Sequence, residues 1–479
     1  MNYLIIIYIL GRVLQFQAIF LLLPCVVAAI YGEASGYSFL ITSIVSFIMG
    51  LIVTHKKPDN QVFFAREGFV TVALSWIVMS IVGAMPFVLN GDIPNFIDAL
   101  FETISGFTTT GASVLSDVEV LSKCSLFWRS FTHWIGGMGV FVFILAVLPM
   151  AGGHNMHLMR AESPGPSVGK LVPRTKETAK ILYGIYFAMT VVEIVLLLIA
   201  KMPLFDALTI SFGTAGTGGF GIKNTSVMYY SVPIQWIVTV FMIFFGVNFN
   251  AYYYLLGKKK ENAFKMEEVR WYLGIIAVCI AIIAINIREI FPSLPDALRE
   301  ASFQVASIIT TTGFSTADFD IWPQLSKTIL VVIMFIGACA GSTGGGIKVS
   351  RILILLKSVK KEMAYFIHPR SVKAIKMDER ALEKEIVSSV STFLVTYVII
   401  FGASCFVLAF DNLDMVTNFT AVAATINNIG PGLELVGPTR NYDIFSSTAK
   451  IVLMFDMLAG RLELYPLLLL FAPSTWKNS

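Results

Sequence analysis

Four short polar segments interrupt this apolar chain, and their residue types suit the binding of a cation by backbone oxygen atoms. They are segment 1 (Thr108-Thr109-Thr110-Gly111-Ala112), segment 2 (Ala215-Gly216-Thr217-Gly218-Gly219), segment 3 (Thr310-Thr311-Thr312-Gly313-Phe314) and segment 4 (Asn427-Asn428-Ile429-Gly430-Pro431). Glycine permits backbone angles that other residues avoid, and rings of carbonyl oxygens can replace the hydration shell of an ion. The spacing between segments, roughly one hundred residues each time, indicates a unit repeated four times. We therefore predict that the segments converge and that their carbonyl oxygens line one path.

Three residues of each segment are predicted to present these oxygens, and the last of each three is a glycine. The twelve residues are Thr109, Thr110, Gly111, Gly216, Thr217, Gly218, Thr311, Thr312, Gly313, Asn428, Ile429 and Gly430. Segment 4 departs most from the others, because Asn428 and Ile429 stand where segments 1 and 3 have threonines. A backbone carbonyl can serve whatever the side chain, so segment 4 is predicted to contribute like the rest.

The composition predicts an all-α integral membrane protein around these segments. Hydrophobic residues make up 56% of the chain and charged residues 14%, with a mean hydropathy of +0.76, whereas average chains carry about 25% charged residues. Apolar runs of about 20 residues are long enough to cross the hydrocarbon of a bilayer. The predicted spans are 3–30, 37–53, 68–90, 126–149, 180–200, 233–256, 271–290, 325–357, 388–410 and 446–471.

The distribution of lysine and arginine predicts how these spans are oriented. Alternate connections between the spans hold 23 and 5 basic residues, and positive charge collects on the cytoplasmic side of membrane proteins. The basic connections are 54–66, 151–180, 257–270 and 348–384. Both termini are therefore predicted to be cytoplasmic, and all four polar segments are predicted to be reached from the outside.

Each outward connection has the same internal order, which predicts a short helix that ends inside the membrane. A turn with proline, asparagine or aspartate comes first, then about ten apolar residues at helical spacing, then the polar segment. Ten residues at 1.5 Å each span about 15 Å, or half a bilayer. The C-terminal end of a helix carries roughly half a negative charge. Four such ends directed at one cavity would favour a cation there.

A glycine-rich stretch interrupts the predicted span 325–357. We call residues 337–346 the glycine loop; its glycines are Gly337, Gly341, Gly344, Gly345 and Gly346. Each glycine costs a helix about 1 kcal/mol relative to alanine, so a regular helix is not expected here. The residues alone favour equally a mobile gate below the polar segments and a passive kink that lets helices pack closely.

Arg461 lies about two-thirds of the way along the last predicted span. A charge within a membrane span is a candidate functional residue, and Arg461 could oppose the passage of a cation and donate hydrogen bonds to the glycine loop. The alternatives are that it reaches the cytoplasmic interface or pairs with Glu463. Arg129 and His133 are expected to have packing or interface roles, and Lys348 is expected at the inner mouth of the path.

Other motif-like patterns do not support a catalytic or metal-binding function. Residues 216–221 match GxGxxG, but their neighbours are membrane spans rather than the strand and helix of a dinucleotide-binding unit. His154 and His157 have no third ligand nearby, and the five cysteines are scattered without metal-ligand spacing. No nucleophile lies beside a base in the sequence. We therefore predict that the chain is not an enzyme.

Taken together, the four polar segments resemble the filter loops of the Trk/Ktr/HKT superfamily of potassium transporters. The resemblance covers nearly the whole chain, and the two extra N-terminal spans are similar to the TrkH and TrkG branch rather than to the shorter KtrB branch. It implies a K⁺-channel-like pore of four pseudo-symmetric M1–P–M2 repeats around one axis, preceded by two further transmembrane helices. It also implies a gating role for the glycine loop and Arg461, and glycine rather than serine at position 111 favours potassium over sodium.

The resemblance further implies a homodimer in the cytoplasmic (inner) membrane of a prokaryote. A cytoplasmic TrkA-like ring would bind the nucleotide, so that this chain carries K⁺ as transported ion and no cofactor of its own. The basic segments 151–180 and 348–384 are the expected docking surface for that ring. The expected units are 1–66 (two N-terminal helices), 67–150, 151–257, 258–384 and 385–479 (repeats 1 to 4).

Two other functions remain open from the sequence. One is a sodium-permeable or weakly selective monovalent cation transporter, since the departure of segment 4 affects the predicted filter itself. The other is a membrane scaffold or sensor that does not conduct ions.

Overall fold

A computed structural model describes residues 1–59, 64–147, 175–257, 263, 265–370 and 374–477. Its helices are α1 (Tyr3–Phe20), α2 (Leu22–Tyr31), α3 (Gly36–Thr54), α4 (Ala65–Asn90), α5 (Phe96–Phe107), α6 (Lys123–Val147), α7 (Thr175–Ile199), α8 (Leu204–Gly216), α9 (Val232–Phe245), α10 (Phe249–Leu256), α11 (Glu267–Asn286), α12 (Leu294–Ile309), α13 (Gln324–Ile336), α14 (Val349–Ile367), α15 (Lys384–Leu408), α16 (Met415–Ile426), α17 (Ser447–Arg461), α18 (Tyr465–Phe471) and α19 (Pro473–Trp476). Strands β1 (Lys376–Met377) and β2 (Arg380–Ala381) pair antiparallel in a short hairpin.

The helical membrane character predicted from composition is confirmed. Six helical stretches in the described part of the chain are long and apolar enough to cross a membrane: Tyr3–Tyr31, Gly36–Thr54, Arg66–Asn90, Lys180–Ile199, Glu267–Asn286 and Lys384–Asp411. The pair α9 and α10 would make a seventh, but the two helices are bent by 92° at their junction. Many large apolar side chains on these stretches are exposed, as expected for helices that face lipid.

The predicted span 3–30 consists of α1 and α2, which meet at Leu21 and together form one apolar stretch, Tyr3–Tyr31. Three further predicted spans are interrupted, and the sequence predicts only one of these interruptions. The span 325–357 breaks at the glycine loop, as its composition indicates. The prediction of unbroken spans at 233–256 and 446–471 is wrong. Asn248 caps the start of α10 with its side chain and so supports the sharp bend after α9. Glu463 and Leu464 both adopt positive φ, which turns the chain between α17 and α18.

The four short helices predicted before the polar segments are present as α5, α8, α12 and α16, with 12, 13, 16 and 12 residues. Side chains of Asn95, Ser293 and Asp414 accept hydrogen bonds from backbone amides of the first turn of α5, α12 and α16. These polar caps fix where each helix begins. Helix α12 begins at Leu294, directly after its cap Ser293, and with 16 residues it is longer than the ten or so predicted.

Packing among the helices closes into a cycle around the four short ones. Each short helix packs between the helix before it and the helix after it: α4 and α6 for α5, α7 and α9 for α8, α11 and α13 for α12, and α15 and α17 for α16. The following helix also packs on the next short helix: α6 on α8, α9 on α12, α13 on α16, and α17 back on α5. The chain therefore brings its four polar segments together. Helices α1 to α3 pack on the outside of this cycle, against α4 and α6.

Candidate ion-binding site

The four polar segments share one backbone conformation. In each, a residue with positive φ is followed two positions later by a glycine with positive φ: Thr109 (55°) and Gly111 (78°), Thr217 (54°) and Gly219 (77°), Thr311 (60°) and Gly313 (83°), and Asn428 (56°) and Gly430 (96°). A positive φ is uncommon outside glycine and is costly for a β-branched residue such as threonine. Three threonines in this conformation at equivalent places indicate that the surrounding structure imposes it.

This alignment corrects the sequence prediction for segment 2 by one residue. Gly219, not Gly218, occupies the place of Gly111, Gly313 and Gly430. Gly218 instead corresponds to Thr110, Thr312 and Ile429, and Gly216 ends helix α8, before the shared turn. The error arose because segment 2 has two consecutive glycines, and spacing alone does not show which one adopts the positive φ.

An identical hydrogen bond turns each segment away from its short helix. The amide of the residue before the shared glycine donates to a carbonyl five residues earlier: Thr110 to Ser105 (2.9 Å), Gly218 to Gly213 (2.8 Å), Thr312 to Ser307 (2.8 Å) and Ile429 to Ala424 (2.8 Å). This bond is typical of a helix that ends in a left-handed residue. It satisfies one carbonyl at the end of each short helix and leaves the following carbonyls of the segment free for other partners.

The segments meet in a closed ring of carbonyl groups, which we call the carbonyl ring (the carbonyls of Thr110, Gly218, Thr312 and Ile429). Each carbonyl oxygen lies against the shared glycine of a neighbouring segment, so closely that an added Cβ would overlap it. The pairs are Gly111 with Gly218, Gly219 with Thr312, Gly313 with Ile429, and Gly430 with Thr110. The fourth contact returns to segment 1. Both the close approach and the positive φ therefore require glycine at these four places.

His133 explains why segment 2 has glycine where the other segments have a larger residue. A Cβ at Gly218 would overlap the imidazole ring of His133, which is fully buried on α6. Its Nδ1 lies 2.8 Å from the carbonyl oxygen of Gly106, and its Nε2 accepts a hydrogen bond from the amide of Phe220 at 3.2 Å. These partners require a neutral imidazole with the proton on Nδ1. The packing role expected for His133 therefore includes direct support of segments 1 and 2.

A buried ion pair also joins segments 1 and 2. Arg129 on α6 donates to Glu102 on α5 at 2.6 Å, and both side chains are at most 2% exposed. Glu102 also accepts from the amide of Val114, just after segment 1, at 3.1 Å. Arg129 donates to the carbonyl of Gly221, just after segment 2, at 3.2 Å, and its guanidinium lies 4.1 Å from the ring centre of Phe220. Sequence spacing gives no signal for this pair, because Glu102 lies on a different helix.

Segment 4 has a different sequence but reaches the same geometry by side-chain contacts. Asn428 Nδ2 donates to Thr110 Oγ1 at 3.0 Å and to the carbonyl of Met457 at 2.9 Å. The Tyr442 hydroxyl donates to the carbonyl of Gly430 at 2.6 Å. Asparagine tolerates the left-handed conformation better than threonine does. The departure in sequence is therefore compatible with an equivalent backbone.

The glycine loop lies directly beneath segments 3 and 4. The amide of Gly345 donates to Thr311 Oγ1 at 2.6 Å, and a Cβ on Gly345 would overlap the carbonyl of Asn427. On its other side the loop contacts the break between α9 and α10, where the amide of Cys339 donates to the carbonyl of Gly246 at 3.0 Å. The loop is thus wedged between the ends of two polar segments and a bent helix pair.

Positively charged side chains hold the glycine loop from below. Arg461 donates to the carbonyl of Thr343 in the loop at 2.8 Å and to the carbonyl of Gly136 on α6 at 2.7 Å. Lys348, only 2% exposed, donates to the carbonyl of Gly344. Glu463 forms its ion pair with Arg351. The structure therefore places Arg461 at the loop, and Lys348 within the loop layer itself.

Among the described residues, no group of three or more histidines, cysteines, aspartates or glutamates is arranged to hold a metal ion. His154 and His157 lie outside the described residues, as does most of the basic segment 151–180. The carbonyl ring itself consists of backbone carbonyl groups with glycine at each close contact, and the side chains of Lys348 and Arg461 lie beneath it.

Comparison with known proteins identifies relatives over nearly the whole chain. A family model described as TrkH, cation transport protein, matches residues 35–478. The chain is 39% identical to the Trk system potassium uptake protein TrkH of Salmonella typhimurium, with 96% of each chain covered. It is 33% identical to the Trk system potassium uptake protein TrkG of Escherichia coli, with 99% of each covered. The crystal structure of the potassium transporter TrkH from Vibrio parahaemolyticus superposes with a TM-score of 0.90 at 35% identity, covering 100% of both chains.

Proposed function

The chain belongs to the TrkH family of cation transport proteins, and from that premise we propose that it takes up potassium across a membrane through the carbonyl ring. The observation that carries the proposal is the closure of four equivalent backbone turns, each with a carbonyl group against the glycine of a neighbour. An ion that enters a low-dielectric interior without replacement ligands faces a penalty of tens of kcal/mol. The carbonyl oxygens would replace the lost water.

We further propose that the chain consists of four M1–P–M2 repeats around a single pore, in which P is the short helix with its polar segment and M1 and M2 are the helices before and after it. Of the two extra N-terminal spans, α1 and α2 together form the first and α3 forms the second. The cyclic packing of the short helices and of the helices that follow them supports this arrangement. The filter would then contain the residues predicted from the sequence with one change. Gly219 joins Thr217 and Gly218 in segment 2, and Gly216 marks the end of the short helix.

Potassium is the proposed ion because all four shared positions are glycine and because the relatives are named potassium uptake proteins. The lack of a side chain at these contacts lets each carbonyl oxygen lie against the neighbouring segment. A sodium-permeable or weakly selective transporter remains the second candidate, since segment 4 is held by the Asn428 amide rather than by threonine hydroxyls. Transport, not catalysis, is the function that either candidate assigns to the site.

The glycine loop is proposed as the gate of this pore, and Arg461 is proposed to hold the loop in its closed position. The loop lies against the inner ends of segments 3 and 4, and Arg461 donates to one of its carbonyls. A fixed positive charge below the carbonyl ring would oppose an entering cation, since like charges in a low-dielectric region repel strongly. Opening would require the loop to leave these contacts.

The proposed setting is the inner membrane of a prokaryote, with both termini in the cytoplasm. The asymmetry of basic residues supports this orientation. A homodimer and a cytoplasmic TrkA-like nucleotide-binding ring are the proposed partners, and residues 348–384 are the proposed docking surface. The chain itself is proposed to need no cofactor beyond the transported K⁺.

Uptake of ⁸⁶Rb⁺ by vesicles that contain the purified protein tests the proposal. We expect uptake that K⁺ inhibits at much lower concentration than Na⁺ or Li⁺, with protein-free vesicles as the baseline. Equal inhibition by K⁺ and Na⁺ would favour the weakly selective transporter. If no Rb⁺ entered even with the nucleotide-binding partner present and its nucleotide supplied, the non-conducting scaffold would be the better description.

A further inference from the structure

The first turn of α11 carries two adjacent glutamates that contact different parts of the molecule. Glu268 is 5% exposed and reaches into the layer of the glycine loop. Glu267 is partly exposed and reaches α14 and the β1–β2 hairpin. Neither residue belongs to the ion path proposed above, and neither was indicated by the sequence motifs.

Glu268 holds the glycine loop and the start of α14 with a single oxygen atom. Its Oε1 accepts hydrogen bonds from the amide of Ala340, inside the loop, at 2.6 Å and from the amide of Ser350, in the first turn of α14, at 3.1 Å. Hydrogen bonds to an ionised acceptor are roughly twice as strong as neutral ones. The amides in the first turn of a helix also lack partners within the helix, so Glu268 satisfies a donor that α14 cannot.

The same carboxylate is in contact with the bent helix pair on which the loop rests. Glu268 Oε2 lies 3.5 Å from Asn248 Nδ2, and the amide of Phe249 donates to the carbonyl of Gly341 in the loop at 3.1 Å. Glu268 therefore lies at the point where the loop, α14 and the α9–α10 break meet. Its removal would take away a side chain that contacts all three, while the backbone hydrogen bonds between the loop and the α9–α10 break would remain.

Glu267 connects this turn to the cytoplasmic side. Its carboxylate accepts from Lys357 on α14 at 2.6 Å, and Lys357 also donates to the carbonyl of Lys376 in β1 at 2.7 Å. The amide of Glu267 donates to Asp378, in the turn of the hairpin, at 2.7 Å. The hairpin lies within the basic segment 348–384. One helical turn thus contacts both that segment and the glycine loop.

We propose that the first turn of α11 mechanically couples the cytoplasmic hairpin to the glycine loop, with Glu268 as a positioning residue that keeps the loop against the polar segments. Adjacent residues in one helical turn move together because the backbone hydrogen bonds fix their geometry. If the hairpin moves, it pulls Glu267 and the rest of this helical turn with it. Glu268 then moves away from Ala340 and Ser350, and the loop is released. The inference rests on the proposed gating role of the loop.

Hydrogen–deuterium exchange of the full-length protein in detergent or nanodiscs tests the first half of the coupling. Glu268→Gln removes the charge but keeps the shape of the side chain. We expect deuterium uptake in the peptide that covers residues 337–350 to rise roughly three- to tenfold in rate, the scale of losing charge assistance from one hydrogen bond. Basal ⁸⁶Rb⁺ uptake without any partner should rise by a similar factor. Unchanged exchange in that peptide would overturn the role of Glu268.

Glu267→Gln tests the second half. We expect faster exchange in the 376–381 hairpin and a smaller increase in the 337–350 peptide, because the two glutamates share a turn. An increase confined to the hairpin would overturn the coupling. Glu362→Gln, a matched loss of charge at an exposed position of α14, should change neither peptide.

Two controls separate the possible failures. Glu268→Asp keeps the charge on a shorter side chain, so its rate of loop exchange should lie between those of wild type and Glu268→Gln. The same variant provides the test if Glu268→Gln does not fold. If wild type fails to take up Rb⁺ while Glu268→Gln and Glu267→Gln both accelerate loop exchange, the coupling stands and the transport proposal fails. If wild type transports Rb⁺ and Glu268→Gln leaves both uptake and loop exchange unchanged, the coupling fails alone.

Discussion

The carbonyl ring and the layer of the glycine loop beneath it are built in opposite ways. The ring uses one backbone turn four times, and its own groups carry no charge. The loop layer occurs once and is held by charged side chains: Lys348, Arg461 and Glu268. A site that must surround an ion evenly benefits from repetition. A barrier that must open in response to one event needs a single movable element, which the repetition does not supply.

The difference predicts that damage to the two regions will have separable consequences. Changes in the ring should alter which ion passes or whether the protein folds, whereas changes in the loop layer should alter how much ion passes without a partner. The contacts between the regions include the hydrogen bond from the Gly345 amide to the Thr311 hydroxyl and the close approach of Gly345 to the carbonyl of Asn427. Each experiment below changes one region and measures both properties.

The largest effect is expected on breaking the buried ion pair that supports the ring. Arg129→Met leaves Glu102 buried without its cation, and removal of one partner of such a pair costs about 3–5 kcal/mol. We expect a large fall in the melting temperature of the purified protein. The double variant Glu102→Gln with Arg129→Met leaves no unpaired charge and should recover part of the loss. A melting temperature equal to wild type in Arg129→Met would mean that the pair does not support the fold.

The next effect concerns ion preference. Gly313→Ser adds a side chain where the carbonyl of Ile429 already lies, at a φ of 83°, so segments 3 and 4 must separate. We expect the ratio of K⁺ to Na⁺ inhibition of Rb⁺ uptake to fall by about tenfold, which corresponds to ~1.4 kcal/mol of differential binding. Gly402→Ser is the control, since a Cβ there has nothing within 4 Å. An unchanged ratio in Gly313→Ser would contradict the assignment of the ring.

The same measurement tests the corrected position in segment 2. Gly219→Ser should lower the ratio as Gly313→Ser does, because both glycines adopt positive φ against a neighbouring carbonyl. Gly218→Ser should instead lower stability, because its side chain meets the buried ring of His133. If Gly218→Ser changed ion preference with normal stability while Gly219→Ser did not, the original alignment by spacing would be right.

A smaller effect is expected in the loop layer. Arg461→Ala removes a positive charge and its hydrogen bonds to Thr343 and Gly136. Bonds of this kind contribute about 1.5–3 kcal/mol, and only part of that holds the loop shut, so we expect basal Rb⁺ uptake to rise about tenfold or less with ion preference unchanged. Arg461→Lys keeps the charge, so its basal Rb⁺ uptake should lie between that of wild type and that of Arg461→Ala. Uptake equal to wild type in Arg461→Ala would remove this residue from the barrier.

The ring could be predicted from the sequence because repetition leaves a visible pattern. That prediction rests on four glycine-bearing segments at similar spacing, each after a short apolar helix. The five glycines of residues 337–346 likewise predict that the span 325–357 is interrupted. The one part of the ring that the sequence placed wrongly is the shared glycine of segment 2, which is Gly219. The preceding residue is also glycine because His133, on a different helix, occupies the space that a side chain at Gly218 would need. The residues around Gly218 in the sequence do not indicate that His133 lies against it.

The supports of both regions could not be predicted, because they are single contacts between distant parts of the chain. Glu102 and Arg129 are 27 residues apart, and Glu268 and Ala340 are 72 apart. A glutamate in the first turn of a helix is as typical of a solvent-exposed turn as of a buried contact. The break between α17 and α18 was likewise missed, since Glu463 and Leu464 adopt positive φ although neither residue type favours it.

The smallest effect is expected where the residues after segment 1 (Asp117 and Glu119) contact those after segment 2 (Lys223 and Asn224), which we call the rim. The rim provides a baseline for the other two regions. A hydrogen bond from Asn224 lowers the pKa of Asp117, and a hydrogen bond from Lys223 lowers the pKa of Glu119. A group with a lowered pKa stabilises the fold above its unfolded pKa and loses that contribution as pH falls through the lowered value. Asn224→Ala should therefore reduce the melting temperature slightly at pH 7, and the difference from wild type should become smaller at a pH below the lowered pKa of Asp117. A part should remain there, because Asn224 Oδ1 also accepts a hydrogen bond from the amide of Val118 at 2.9 Å, which does not titrate. Because Asp117 is fully exposed, solvent screens this contact, and ion preference should not change at either pH. A change in K⁺ over Na⁺ preference in Asn224→Ala would show that the rim, and not the ring alone, selects the ion.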